Sequence, residues 1–444
     1  MNKFSTGVGI TSISQVINLS LGVFSSVILA RVLGPEGRGI YGLAILLPSL
    51  IVTFGNLGIG SATVYYVASN EFSRQEILGT NVLLSILISG IGIGVGIVIA
   101  LVFQDPLFSG VPLKYLLLAL SLVPLNLLFA STRYILLGAQ HIKAFNYVQI
   151  IRSVVFLASL VISLLGLKGK VSGAILANIV TWTIVDIFLL YVAKKVAGGI
   201  KLGINTVYLK RALTYGIQAH VSNVLSFLNY RADMFLVNGF LGPSAVGLYA
   251  VGVGLAEKVW MVSQSAGTVL FPRVASEQKE ERRKHFTPLV ARTVLWVTII
   301  GSLVLFFLSR WLILFLYSKP FLPAVGVLRA LLVGITALSV SRVLANDIAG
   351  RGRPILNTYS GAVVVASNII LNLLWLPRYG ILGAAWASTI SYNISFVLVL
   401  YFYSRLSGNP WWKVVLPQRG DWALYLKMGK ALFRWGWGKI GIRS

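Results

Sequence analysis

Leu33-Gly34-Pro35-Glu36-Gly37-Arg38-Gly39-Ile40-Tyr41 and Leu241-Gly242-Pro243-Ser244-Ala245-Val246-Gly247-Leu248-Tyr249 carry Leu, Gly, Pro, Gly and Tyr in one register, 208 residues apart. Two fainter echoes follow. Thr132-Arg133 returns as Ser341-Arg342 at an offset of 209, and Gly173-Ala174 with Ala177 returns as Gly383-Ala384 with Ala387 at an offset of 210. Offsets that nearly agree, each close to half of 444 residues, point to one unit present twice. In a strongly apolar chain, a doubled unit is a common way of building a transporter.

Composition sets the class. Hydrophobic residues make up 57% and charged residues 11% of the chain, against roughly 25% charged in a soluble domain, and the mean hydropathy is +0.83. Apolar stretches of about 20 residues, enough to span a bilayer as helices, recur twelve times, from about 8–30 to about 381–404. The first is not a removable leader, because its apolar run is too long and eleven more follow. The expected fold is an all-α polytopic membrane protein of about twelve transmembrane helices. Its divisions are a six-helix lobe at 1–193, a linker at 194–212, a second six-helix lobe at 213–404 and a tail at 405–444. Six is even, so both lobes enter the membrane in the same sense, which makes the repeat parallel.

The net charge of +26 would suggest nucleic acid if the basic residues formed one soluble face. They are instead spread over the loops by side. Of the 38 Lys and Arg, 25 fall in segments assigned to one face of the membrane, 8 to the other and 5 within spans. The positive-inside rule then puts both termini in the cytoplasm and excludes nucleic acid as a partner. The linker reads as a short interfacial helix with sparse apolar residues (Leu202, Ile204, Val207, Tyr208). Segment 276–287 reads as a solvated helix capped by Ser276, with Glu280 and Lys284 paired. In the tail, Lys427, Lys430 and Arg434 share a helical face, and Trp411, Trp412, Trp422, Trp435 and Trp437 suit an interfacial anchor.

No cysteine is present and the three histidines lie far apart, so neither a disulfide framework nor a metal site is expected. No external loop exceeds about a dozen residues, which leaves no room outside for a catalytic domain, and no cofactor motif is found; the chain reads as a non-enzyme. Gly90, Gly92, Gly94 and Gly96 lie inside a span, where small residues serve close helix contact rather than nucleotide binding.

Ionisable groups within spans are costly, about 2.5–3.5 kcal/mol each on insertion scales. They are Arg133, Asp186, Arg231, Asp233, Glu257, Lys258, Arg329, Arg342 and Asp347. Arg133 and Arg342 are repeat equivalents near the cytoplasmic ends of their spans. With Arg152 they would form a cationic vestibule for a phosphorylated ligand, since guanidinium forks match phosphate; snorkelling anchors are the alternative. Arg231 and Asp233, two positions apart, point about 200° away from each other and should take different partners. Glu257 and Asp233 are the acids deep enough to switch by protonation, with interhelical pairing as the plainer role.

Ala30-Arg31-Val32-Leu33-Gly34-Pro35 through Gly39-Ile40-Tyr41-Gly42, then Asn56-Leu57-Gly58-Ile59-Gly60, then Arg231-Ala232-Asp233 followed by Gly239-Phe240-Leu241-Gly242, make the chain resemble the polysaccharide or O-antigen flippases. These belong to the multidrug/oligosaccharidyl-lipid/polysaccharide exporter superfamily, and the resemblance covers roughly residues 5–405. It implies two six-helix lobes and movement of a polyprenyl-pyrophosphate-linked oligosaccharide from the cytoplasmic to the outer leaflet of the cell (cytoplasmic, or inner) membrane. A multidrug and toxic compound extrusion antiporter, which shares the fold, is the alternative. The substrate-binding candidates are Arg133, Arg152, Arg342 and Arg231, and the coupling acids are Glu257 and Asp233. The repeat turns are Gly34, Pro35, Tyr41, Gly242, Pro243 and Tyr249. Coupling to a proton or sodium gradient, to membrane potential, or to downhill flow fits these residues equally. The tail offers a second reading as a dock for another polysaccharide-assembly enzyme.

Overall fold

The computed structural model describes residues 3–277, 280–418 and Asp421. Residues of the tail read above as an anchor or dock, Trp422, Lys427, Lys430, Arg434, Trp435 and Trp437, lie outside the described residues.

Among the described residues, nine helices are long and apolar enough to cross a membrane. Three of them belong to helical runs far longer than a bilayer is thick: Lys3–Gly55, Thr206–Ala256 and Ile355–Ser407. At 1.5 Å per residue, a run of about 50 residues would reach about 75 Å against a hydrocarbon core of about 30 Å. Each is broken once, at Gly34 (φ 67°), Gly242 (φ 78°) and Gly380 (φ 58°). Counted at these breaks, twelve crossing segments are present among the described residues. The physical cause at the first two is in the quoted motif. Glycine takes the left-handed backbone at no steric cost. The proline after it lacks an N–H and is pre-set for the first turn of the next helix.

Packing divides the described residues into two compact units. One takes in the chain up to Lys258 with Leu305–Val333 and Gly361–Ser391; the other takes in Val259–Val304, Gly334–Ser360 and the chain from Tyr392 on.

The first unit is held by backbone-to-backbone approaches. A Cβ on Gly39 would collide with the Pro243 carbonyl, and one on Gly247 with the Pro35 carbonyl. Likewise a Cβ on Gly216 would lie 2.8 Å from the Gly58 oxygen. That second contact falls where span two is interrupted: Leu57 and Gly58 have φ of 48° and 72°, and a new helix starts at Ile59. Arg31 donates from Nε to the Leu316 carbonyl (2.7 Å) and from Nη2 to the Phe315 carbonyl, capping the last turn of the helix Glu280–Tyr317. Of the four span-three glycines, Gly92 and Gly96 meet Ile51, Val123 and Leu120, but Gly90 and Gly94 meet nothing within 4 Å. Close contact is therefore confined to Gly92 and Gly96, because residues two apart lie on opposite helix faces.

The linker is not an interfacial helix. Gly198, Gly199 and Gly203 hold φ of 79°, 143° and 159°, which ends the preceding helix and leaves an irregular strap until Thr206. The strap is tied to the helix Arg74–Val102. Lys201 and Asn205 reach the Glu76 carboxylate at 2.7 and 3.0 Å, and Thr80 donates to the Gly203 carbonyl at 3.1 Å. Asn205 then caps the next helix, accepting from the Tyr208 amide. Tyr208 is buried and bonds Asn81, so it faces the core rather than a membrane surface.

The second unit has its own apolar core, including Leu270, Val340, Leu344, Ile348 and Tyr403. Beside it, Thr287 donates to Asp347, and Arg351 bridges Asp347 and Glu280. This corrects the local pairing expected within 276–287: Glu280 goes to Arg351, and Lys284 lies 3.5 Å from Glu281. Ser276 is the last residue of the helix Met261–Ser276, and the next described helix is Glu280–Tyr317. Arg292 holds Asp421 through two bonds of 2.7 and 2.8 Å.

Candidate functional site

The two repeat tyrosines hold equivalent positions and make equivalent bonds. Tyr41 accepts a hydrogen bond from Asn178 Nδ2. Tyr249 shares a 3.4 Å bond with Ser388 Oγ, and Ser388 lies 210 residues beyond Asn178, the offset of the Gly-Ala echo. Each tyrosine thus ties the second helix of its repeat to the sixth.

Around Tyr249 the second copy adds a carboxyl. Asp233 is 2% exposed; its Oδ2 accepts from Tyr249 at 2.5 Å and from Ser388 at 3.4 Å, and its Oδ1 accepts from nothing. Asn368 donates to Ser388, Asn372 donates to Asn368, and Asn372 Oδ1 is a second buried oxygen without a donor. A carboxyl and unsatisfied amide oxygen in one buried cluster form a hard-oxygen environment suited to a proton or a small cation. Among the described residues, no group of three His, Cys, Asp or Glu could hold a metal.

Arg231 turns away from this cluster to Glu257, with bonds of 3.0 and 3.4 Å between the guanidinium fork and both carboxylate oxygens. Arg231 and Asp233 therefore take different partners, as their 200° separation requires. Glu257 opens a single 3₁₀ turn, Glu257–Trp260, between two α-helices.

Arg133 and Arg152 are brought together in the first unit by an aromatic pair. Arg133 stacks on Phe129 (5.3 Å) and Tyr134 (4.7 Å), Phe129 meets Trp182 edge-on at 4.9 Å, and Arg152 stacks on Trp182 at 5.2 Å. Neither arginine has an acidic partner among the described residues. Arg342 belongs to the second unit, where its guanidinium lies 4.1 Å from the Trp260 ring centre. Both repeat-equivalent arginines are thus held against aromatic faces, which orients the fork.

Two features were not singled out from sequence. Arg38, absent from the in-span charges named above, sits in the first turn of the helix after the Gly34 break and lines a cavity of about 390 Å³ with Arg152, Asn18, Tyr41 and Asn178. Asp186, named as an in-span acid without a role, is 3% exposed, and neither of its oxygens has a hydrogen-bond partner.

The profile of the family described as "Polysaccharide biosynthesis protein" matches residues 4–278, more than half of the chain. The chain belongs to the polysaccharide biosynthesis protein family. Its similarity to named relatives of the family extends well beyond that segment. It is 24% identical over 396 residues to the "Putative O-antigen transporter" of Shigella flexneri, covering 85% of this chain and 92% of that one. It is 22% identical over 432 residues to the succinoglycan biosynthesis transport protein ExoT of Rhizobium meliloti strain 1021, covering 90% and 82%. Among solved structures, the lipid II flippase MurJ in an inward closed conformation aligns with a TM-score of 0.74 at 19% identity, covering 88% of this chain and 87% of that one. An inward-facing multidrug resistance transporter of the MATE family aligns at 0.68 and 16% identity, covering 90% and 98%. At these identities the two structures establish the shared fold.

Proposed function

We propose that this chain is a flippase that moves a polyprenyl-pyrophosphate-linked oligosaccharide from the cytoplasmic to the outer leaflet, for polysaccharide or cell-envelope biosynthesis. The reading is supported by the family and by relatives named as O-antigen and succinoglycan transport proteins. The observation that carries it is the Arg133–Phe129–Trp182–Arg152 stack. It holds two forks, free of carboxylates, in position for an anionic phosphate group.

In this reading the lobes 1–193 and 213–404 rock about a central cleft, joined by the linker 194–212, with both termini and the tail 405–444 in the cytoplasm. Arg133, Arg152 and Arg342 hold the pyrophosphate, and Arg231 joins them when Glu257 releases it. The charged head cannot cross about 30 Å of hydrocarbon unaided, whereas the polyprenyl tail can stay in lipid. Protonation or cation binding at Asp233 biases the cycle, with Glu257 responding through its arginine partner.

The alternative, an organic-cation antiporter of the MATE type, draws on the shared fold. The arginine pair disfavours it, since a cationic drug would meet two uncompensated positive charges. The test is purified protein in proteoliposomes, offered a lipid-linked oligosaccharide in one experiment and an organic cation in the other. Translocation of the lipid with no cation flux is expected; the reverse result sinks the proposal.

A further inference from the structure

The cavity of about 390 Å³ between the first, second, fifth and sixth crossing segments falls within the roughly 300–1,000 Å³ of small-molecule sites. Its charged lining residues are Arg38 and Arg152, and no carboxylate lines it. Arg38 has no acidic partner among the described residues; its guanidinium lies over Tyr41, and its Nε is buried without a hydrogen-bond partner. A buried Nε–H left without an acceptor is costly to keep.

The fold does not require that charge. The repeat equivalent of Arg38, 208 residues on, is Val246, which is fully buried. The rest of the lining is neutral and hydrogen-bonding. Ser153 donates to Asn18 Oδ1 at 2.7 Å, and one N–H of Asn178 Nδ2 goes to Tyr41. This leaves the Asn18 amide as donor and the Asn178 carbonyl as acceptor for a ligand, beside the hydroxyls of Ser25 and Thr181.

Paired donors and acceptors match sugar hydroxyls, and a guanidinium fork matches a carboxylate. We propose that this cavity binds an acidic sugar of the carried head group, a uronic-acid residue, with Arg38 reading its carboxylate. The site rests on the flippase reading for its biological role but is tested without it. Arg152, at the junction of the cavity and the Phe129–Trp182 stack, serves the pyrophosphate. Arg38 then selects among oligosaccharides by charge.

The experiment is calorimetric titration of the purified full-length protein with three soluble probes. These are a glucuronate-containing disaccharide, the same disaccharide with glucose in place of glucuronate, and inorganic pyrophosphate. The acidic disaccharide is expected to bind at least tenfold more tightly than the neutral one. Arg38→Gln should abolish that preference and leave pyrophosphate binding unchanged, Arg38→Lys should retain part of it, and Arg152→Gln should weaken pyrophosphate. Equal binding of the two sugars by the unaltered protein overturns the proposal and needs no variant. Loss of sugar and pyrophosphate together in Arg38→Gln also overturns it, because the cavity would then be one undifferentiated anion site. An Arg38-dependent preference in a protein that fails to flip lipid in proteoliposomes would uphold the site and overturn the flippase reading alone.

Discussion

Gly39 lies against the backbone of Pro243, and its repeat counterpart Gly247 lies against the backbone of Pro35. The two contacts are images of each other under the 208-residue offset, so the two copies of the motif clasp reciprocally. Neither position has room for a methyl group. Gly39→Ala and Gly247→Ala should each destabilise the protein by about 1–3 kcal/mol, the range for overpacked cores. Thermal denaturation in detergent measures this. Gly254→Ala, where nothing lies within 4 Å, should be neutral or slightly stabilising, because alanine favours helix.

Arg133→Ala and Arg152→Ala should each lower transport of a pyrophosphate-linked oligosaccharide by about ten- to a hundredfold, what about 1.5–3 kcal/mol of charge-assisted bonding is worth. Lysine at either position should recover only part of the rate, since it keeps the charge but not the fork. Initial rates in proteoliposomes at matched protein content decide it; normal rates in both alanine variants would remove these residues from the binding site.

Asp233→Asn keeps the size of the side chain and its bonds to Tyr249 and Ser388 while removing the ionisable oxygen. Its flipping rate should lose dependence on pH or sodium while binding of soluble pyrophosphate stays. Asn372→Leu, which removes the other unsatisfied oxygen, should weaken the same dependence. A variant with unaltered ion dependence would reduce Asp233 to a packing residue.

Glu257→Gln tests a different idea. Its partner Arg231 is 34% exposed and Glu257 20%, so the pair should contribute at most about 1 kcal/mol. A double-mutant cycle with Arg231→Gln should show non-additive stability. A change in the pH profile of transport as well would make the pair part of the coupling device; stability loss alone would make it a fastening.

Asp421 is buried, which by itself raises its pKa, but its two bonds to Arg292 outweigh burial and hold the carboxyl below the usual carboxylate range. The contact is therefore fully stabilising above the unfolded value of about 3.9 and is lost as pH falls through the folded value. Limited proteolysis between Val415 and Asp421 should be slow near neutral pH and accelerate below about pH 4. Asp421→Asn should make it fast at every pH.

Local chemistry made the helix breaks legible. Gly34-Pro35 and Gly242-Pro243 carry their own conformational instructions, and the span count follows from hydropathy. The tyrosine bonds were not legible, because Tyr41 and Asn178 are 137 residues apart and only packing joins them. Arg38 was misplaced because Glu36 and Arg38 depress local hydropathy while the backbone stays helical through them. The linker misled in the opposite way: its apolar residues suit a helix, but Gly198, Gly199 and Gly203 keep it irregular. Gly90 through Gly96 showed that close packing would occur, but only the three-dimensional neighbours pick the face.

The duplicated unit has diverged into a division of labour. At the position of Asp233 the first copy has Ser25, and at the position of Arg38 the second copy has Val246. One copy kept a cation and lost, or never gained, an acid; the other did the reverse, while the tyrosine beside both stayed the same. Neither half can replace the other. A chimera of two first halves would have no intramembrane acid beside its tyrosines, and a chimera of two second halves would have valine where Arg38 stands, and so no guanidinium over those tyrosines.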